Sequence, residues 1–258
     1  MSDENIPGEG EIKEVWESYW SGYDRDDSWD SISDTVLGAI QGEWQDLEGS
    51  TVLEAGCGTG RISHRLALAG AEVICLDITQ EALDLARKAF GETPARFVQG
   101  SMLDMPREYA CDLVWNSGVI EHFKPDDQRR SLAEFLAVLN PGGRVVILIP
   151  YANSALYRLG KAVLELLGRW PYGVEVPRRT LADVVPEEGV LKQEYTIGFL
   201  SILFDAYKFL GPLKRPLRAL WRWSVRLLGR ERFLQLDRFL SKIFGGYLLV
   251  SVIENRGE

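Results

Sequence analysis

From Thr51 onward the chain alternates short apolar runs with stretches whose apolar residues recur at helical spacing. Thr51–Glu54 is a short apolar strand that ends in a glycine turn, and Arg61–Ala69 places Ile62, Leu66 and Ala69 on one helix face. Glu72–Leu76, Ala95–Gln99, Cys111–Asn116 and Arg144–Ile149 read as further strands, with Gln80–Phe90 and Gln128–Leu139 as helices between them. The last two of these strands are almost wholly apolar, as expected of strands covered on both faces. Asn140-Pro141-Gly142-Gly143 stops the helix before the last of them, because those residues cannot continue it. Such alternation predicts an α/β fold built on a parallel sheet with right-handed crossovers.

The flanks follow different rules. Residues up to about Gly10 look disordered, and Glu11 to Gln45 reads as one or two short helices rich in Trp and Tyr. Trp16, Tyr19, Trp20 and Tyr23 recur at helical spacing, which fits packing on the sheet and equally fits a lid over a site. After Pro150 the pattern predicts a helix at Ala155–Leu167, a loop at Pro171–Pro177 and a short helix at Thr180–Pro186. A strand at Leu191–Gly198, a helical stretch at Ser201–Phe244 and a last strand at Gly246–Glu254 complete it. Residues 1–45 are thus expected to form a tail and cap, 46–150 a core, and 151–258 a second half carrying an insert at 201–245.

The chain has 258 residues, 46% of them hydrophobic and 26% charged, which suits an α/β domain with a small appendage. Its formal net charge of -9 disfavours a phosphate backbone as partner, so no nucleic acid is expected. Cys57, Cys75 and Cys111 lack metal-ligand spacing and sit in or beside predicted core strands, which points to a reducing, cytoplasmic setting. The acidic N-terminus has no signal-sequence pattern. The longest apolar stretch, Ile197–Leu210, is interrupted by Asp205 and Lys208 and is too short to span a bilayer.

The candidate chemistry begins at Glu54-Ala55-Gly56-Cys57-Gly58-Thr59-Gly60, where a strand ends and a helix opens. Evenly spaced glycines let backbone approach a ligand and expose amide N–H groups to it. Arg61 follows, so neither the Gly-x-Gly-x-x-Gly dinucleotide turn nor a Walker loop is present. Asp77, at the end of the second strand, is placed to accept both hydroxyls of a ribose; capping of the following helix, shared with Thr79, is the alternative. The run Val52–Gly60 resembles the first motif of class I S-adenosylmethionine-dependent methyltransferases, and Val73–Ile78 resembles their ribose strand. Gly100–Pro106 is similar to their adenine-side loop, Asp112–Phe123 to their fourth-strand motif, and Leu139–Arg144 to the turn before the fifth strand. These motifs stand in the family's order over about residues 50 to 150, and the branch they most resemble is the small-molecule one that includes the quinone-biosynthesis enzymes.

The resemblance implies a Rossmann-like, doubly wound sheet of seven strands, with an N-terminal helical cap, a helical insert before the last strand, and that strand antiparallel. It implies S-adenosylmethionine as cofactor, with Glu54 on its amino group, Gly56 and Gly58 making room for the methionine part, Asp77 on the ribose and Ile78 against adenine. Asn116 would border the methionine part by its backbone. In many relatives an Asp follows the glycine of the adenine loop; Ser101 stands there instead, so the adenine amine falls to Ser101 or Asp104, and the Met102 backbone serves the ring. A Glu-x-x-Glu-His segment binds metal in some relatives, but Gly118 stands three residues before Glu121, so no metal is expected. His122 is the candidate general base, with a merely hydrogen-bonding role as the alternative. His64 is expected on the solvated side of its helix.

The segment from Ser201 to Gly245 carries ten Lys or Arg against Asp205, Glu231 and Asp237, a net of +7 that leaves -16 for the rest. Lys214, Arg218, Arg222, Arg226 and Arg230 are spaced by four as one basic stripe, with Leu217, Leu220, Trp221, Val225 and Leu228 on another face. That composition suits a membrane-surface element, and equally a helix that faces the acidic body while its apolar side roofs the site. The expectation is methyl transfer to a small-molecule acceptor at oxygen or carbon, apolar or lipid-like, in a pocket formed by this insert. Two rivals stand beside it: a catalytically silent S-adenosylmethionine-binding partner subunit and an NAD-dependent reductase.

Overall fold

The computed structural model describes residues 6–23, 29–205 and 214–257. Seven strands form one sheet: β1 (Thr51–Ala55), β2 (Glu72–Asp77), β3 (Arg96–Gln99), β4 (Cys111–Ser117), β5 (Leu139–Pro150), β6 (Gly189–Ile197) and β7 (Leu248–Asn255). Their order is β3-β2-β1-β4-β5-β7-β6. The first five run parallel, and β7 inserts antiparallel between β5 and β6. In β5, Leu139 pairs with Cys111 and the register then jumps to Arg144 opposite Leu113, so Asn140–Gly143 loops out of the ladder.

Alternation along the strands sends side chains to two cores. Leu53, Val114, Ile147 and Ile149 face one side with Leu132 and Phe135, whereas Val52, Leu113, Val146 and Leu148 face the other with Ile40 and Leu66. Both sets are fully buried, which is why these strands lack the polar alternation of a one-sided sheet. The connecting helices are α1 (Glu9–Ser21), α2 (Ser31–Glu43), α3 (Arg61–Leu68), α4 (Gln80–Phe90), α5 (Pro125–Ala137) and α6 (Ala155–Leu166). Helix α2 starts at a side-chain cap, where Asp30 accepts a bond from Ser33 N at 2.8 Å.

The seven-stranded sheet and its antiparallel last strand agree with expectation, and four local features differ. Residues 6–10 are structured: Ile6 is buried and α1 begins at Glu9, so order reaches further toward the N-terminus than low hydrophobicity suggested. Thr180–Pro186 forms one turn rather than a helix, because Glu194 holds the Leu181 amide from the sheet edge and Pro186 cannot extend it. His64 is half-buried, bonded to Thr93 Oγ1 at 3.1 Å and packed on Phe90. The expected continuous stretch 201–244 consists of α7 (Phe199–Asp205), α8 (Lys214–Leu228) and α9 (Arg230–Phe244), while residues 206–213, with Lys208, lie outside the described residues.

The insert turns its buried side toward α2. Ser201 bonds Thr35 Oγ1 at 2.6 Å, and the buried Asp237 accepts from the amides of Gly198 and Leu200 at 2.7 Å, capping α7. The basic stripe is interrupted: Gly229, at φ +80, separates α8 from α9, and Arg230 pairs with Asp34 of α2 at 2.9 Å.

Candidate active site

The C-terminal ends of β1 to β4 open onto a cavity of about 310 Å³, a size suited to a small ligand. Its floor at the β1 end is the glycine turn. Gly56, Gly58 and Gly60 all take positive φ, between 50° and 73°, which only glycine adopts without strain. A Cβ at Gly56 would stand 2.7 Å from Val119 Cγ2, and one at Gly58 would stand 2.9 Å from Trp20. Four amides of this turn are already engaged. Gly56 N and Cys57 N donate to Leu76 O at 2.8 and 3.0 Å, Gly60 N to Cys57 O at 2.8 Å, and Gly58 N to Asp77 Oδ2 at 2.9 Å. The turn is therefore clamped to β2, and its glycines let Val119 and Trp20 pack directly on it.

Two carboxylates border this turn. Glu54 is buried, burial pushes its carboxyl well above the usual range, and its Oε2 has no hydrogen-bond partner. A buried orphan acceptor is costly unless a ligand cation or donor meets it. Asp77 is also buried and its pKa is raised by that burial, against the pull of bonds from Thr79 and Gly58. Its Oδ1 accepts from Thr79 N and Thr79 Oγ1 at 3.0 and 2.9 Å, so both the local turn and the glycine loop depend on it. A carboxylate has about four acceptor positions, so one remains.

Past the end of β2, Ile78, Gly100 and Met102 line the cavity, and Glu9 reaches it from α1. Ser101 is absent from the wall; its hydroxyl donates to Glu9 Oε1 and accepts from Leu103 N at 2.9 Å. Asp104 is exposed and outside the wall. Asn116 is fully buried and tied inward, donating to Ala55 O at 2.5 Å and accepting from Ile120 N at 3.3 Å. Its neighbours Trp115 and Ser117 reach the cavity, and it does not. Of the residues singled out from sequence, then, Glu54, Gly56, Gly58, Asp77, Ile78 and Met102 converge on one space.

The wall that covers the sheet side is aromatic and reaches the glycine turn through Trp20. Trp16, Tyr19 and Trp20 of α1 meet Phe123, Tyr172 and Tyr247 in it. Trp16 and Tyr172 lie 6.0 Å apart by ring centroids, and Tyr19 and Tyr172 5.2 Å. Helix α1 thus serves as a lid, and α2 adds Ile32, Ser33 and Val36. Among the described residues, no side chain of α7, α8 or α9 lines this space, which corrects the expectation that the insert forms the pocket. The insert packs on the outer side of α2 and supports the wall from behind. Tyr172 and Tyr247 carried no sequence signal: one lies in an irregular loop, the other at the foot of an ordinary strand.

His122 stands behind the lid rather than in the cavity. It is buried, its ring meets Trp16 edge-on at 5.5 Å, and Nδ1 lies 2.6 Å from Val174 O. A carbonyl only accepts, so Nδ1 carries the proton. Burial lowers its pKa to about 4. Next to it, burial raises Glu121 well above the usual range, with Glu175 adding to the shift. Glu175 accepts from Tyr157 Oη at 2.5 Å and from Arg158 at 3.1 Å. Glu175 thereby ties the 171–177 loop to α6, whereas the buried Glu121 Oε2 has no hydrogen-bond partner.

Residues 52–143 match the family model described as a methyltransferase domain. Over 215 residues the chain is 30% identical to a malonyl-[acyl-carrier protein] O-methyltransferase of Yersinia pestis, covering 80% of this chain and 75% of that one. The chain belongs to the class I S-adenosylmethionine-dependent methyltransferases. A demethylmenaquinone methyltransferase of Clavibacter sepedonicus is 31% identical over 143 residues, 54% of this chain and 57% of the other. The N-methyltransferase NodS of Bradyrhizobium japonicum, solved with S-adenosylhomocysteine, shares the fold at TM-score 0.58 and 13% identity, over 95% of this chain and 99% of that one. The methyltransferase is therefore an enzyme that uses S-adenosylmethionine, and the reductase and silent-subunit readings fall away. Among its described residues no helix is long and apolar enough to cross a membrane.

Proposed function

We propose that this methyltransferase holds S-adenosylmethionine along the ends of β1 to β3 and methylates an oxygen or carbon of a small, apolar or lipid-like acceptor at the aromatic end. The observation that carries this reading is the orphaned Glu54 Oε2, buried beside the glycine turn in the wall of the cavity. Glu54 would take the cofactor's ammonium, Gly56 and Gly58 its methionine part, Asp77 a ribose hydroxyl, and Ile78 and Met102 its base. Asn116 acts from behind, by fixing Ala55 and Ile120, and Ser101 acts through its neighbours. The bound sulfonium supplies an already activated methyl, so the protein's task is alignment and exclusion of water. Trp16, Tyr19 and Trp20 give a face attractive to a positive sulfur. His122, buried and neutral, anchors the 171–177 loop that carries Tyr172 rather than serving as a base. In this division residues 1–45 cap the site, 46–150 hold the cofactor, and 151–258 add Tyr172, Tyr247 and the insert.

Relatives named for acyl-carrier-bound malonyl and for demethylmenaquinone support a carboxyl, phenol or quinol acceptor. Labelled methyl transfer from S-adenosylmethionine, measured over a panel of phenols, quinols and lipid acids, tests the choice. Saturable labelling of an apolar member is expected. Labelling confined to peptides or amines would contradict it.

The same reading gives the enzyme a place at an anionic bilayer surface. Leu156, Leu159, Val163 and Leu166 form one exposed stripe on α6. Leu220, Trp223 and Leu227 form another on α8, and Leu236, Phe239 and Ile243 a third on α9. A soluble surface rarely groups this much exposed apolar side chain. The C-terminus of α9 adjoins the N-terminus of α6, where a Cβ at Gly245 would lie 3.9 Å from Asn153 O. Exposed Arg222, Arg226, Arg232 and Lys242 accompany these stripes, so the face suits anionic headgroups. Flotation with phosphatidylserine vesicles is expected for the wild type and is expected to fall when these four become Ser. Equal, negligible flotation of both, or a stable dimer in sedimentation, would contradict it.

A further inference from the structure

We infer that Glu9, carried by the lid helix, is the acceptor for the exocyclic amine of the cofactor's base. The inference rests on the cofactor placement above and adds a residue to it from outside the sheet. Three carboxylates line the cavity among the described residues, and two of them are spoken for: Glu54 at the end of β1 and Asp77 at the end of β2. The third is Glu9, which shares its end of the cavity with Ile78, Gly100 and Met102.

That end offers an apolar slot with a single acid at its rim. A planar base fits between apolar groups, but its amine must keep an acceptor when water leaves. Ser101 does not serve, because it lies outside the cavity wall and its hydroxyl is turned to Glu9 and Leu103 N. Asp104 does not serve either, because it is exposed and outside the wall. Glu9 keeps Oε2 and a second position on Oε1 beyond its bond to Ser101. Ser101 thus positions the carboxylate, and residues 92 apart in sequence complete one recognition edge.

The placement has a consequence for order. Glu9 and the aromatic wall at Trp16, Tyr19 and Trp20 ride on one helix, about 10 to 16 Å apart at 1.5 Å per residue. Seating the base against Glu9 therefore also seats the wall of the acceptor end, so the cofactor is expected to bind before the acceptor.

Calorimetric titration of the full chain with S-adenosylhomocysteine and with S-inosylhomocysteine tests the inference. The second ligand replaces the amine by a carbonyl, which a carboxylate repels. Wild type is expected to prefer the adenosyl form by tenfold or more, about the ratio a charge-assisted hydrogen bond confers. Glu9→Gln, whose amide can donate to the carbonyl, is expected to bring that ratio near one, and Glu9→Ala to lower it similarly. Placing Ser101→Asp on the Glu9→Ala background is expected to restore the preference. If Glu9 variants weaken both ligands by one common factor, Glu9 is only a latch and the inference is overturned. If wild type binds neither ligand, the cofactor placement itself fails, and the inference falls with it.

Discussion

The two sides of the cavity are built by different means. On the sheet side, backbone does the work: the Gly56–Gly60 turn is clamped to β2 through Leu76 O and Asp77, and few side chains could stand there. On the lid side, bulky rings from α1, the 171–177 loop and the foot of β7 meet without a shared backbone pattern. Cofactor chemistry is the same for every member of such a family and suits a fixed backbone site. Acceptor chemistry varies, and a wall of replaceable side chains can change without disturbing the sheet.

The difference is sharpest under substitution. Gly56→Ala puts a methyl 2.7 Å from Val119 at φ +73, so the turn must move. It is expected to weaken S-adenosylhomocysteine about a hundredfold or more and to cost roughly 2 kcal/mol of folding stability, read by calorimetry and denaturant melts.

Behind the lid, His122 has a folded pKa of about 4 against an ordinary 6.5. Its contribution is complete above pH 6.5 and is lost as pH falls toward 4, up to roughly 3 kcal/mol. In His122→Asn the slope of stability between those pH values is expected to flatten, while activity above pH 7 persists with reduced loop order. A wild-type slope in the variant would assign the acid sensitivity elsewhere.

Trp16→Ala separates the two sides by kinetics. Turnover is expected to fall about tenfold, with a change of less than about threefold in S-adenosylhomocysteine affinity. A matching loss in both would merge the two ends into one.

Arg230→Ala should do least. The Arg230–Asp34 pair is partly exposed, so its loss is expected to cost less than about 1 kcal/mol in a thermal melt.

Legibility in the sequence follows the same division. The helix Gln80–Phe90 and the ends of the central strands were readable because period and turn residues specify them locally. Six of the candidate site residues line one cavity, since a strand end fixes where the following residues lie. Asn116 and Ser101 do not, for their side chains are captured by Ala55 O and Glu9, contacts that no spacing reveals. The role of α1 was only half legible. Its aromatic period announced a helix, but whether that helix packs on the sheet or spans the cavity depends on where the chain turns back. The insert misled for a related reason: its amphipathic pattern was real, yet α2 stands between it and the site.

Titration of wild type and Asp77→Ala with S-adenosylhomocysteine bears most directly on the shared foundation, because one side chain there both anchors Gly58 and borders the ligand's sugar. Wild type is expected to bind one equivalent and to show no heat with NADH, and the variant to bind at least about a hundredfold more weakly. Unchanged affinity in Asp77→Ala would contradict the placement of the cofactor across the ends of these strands.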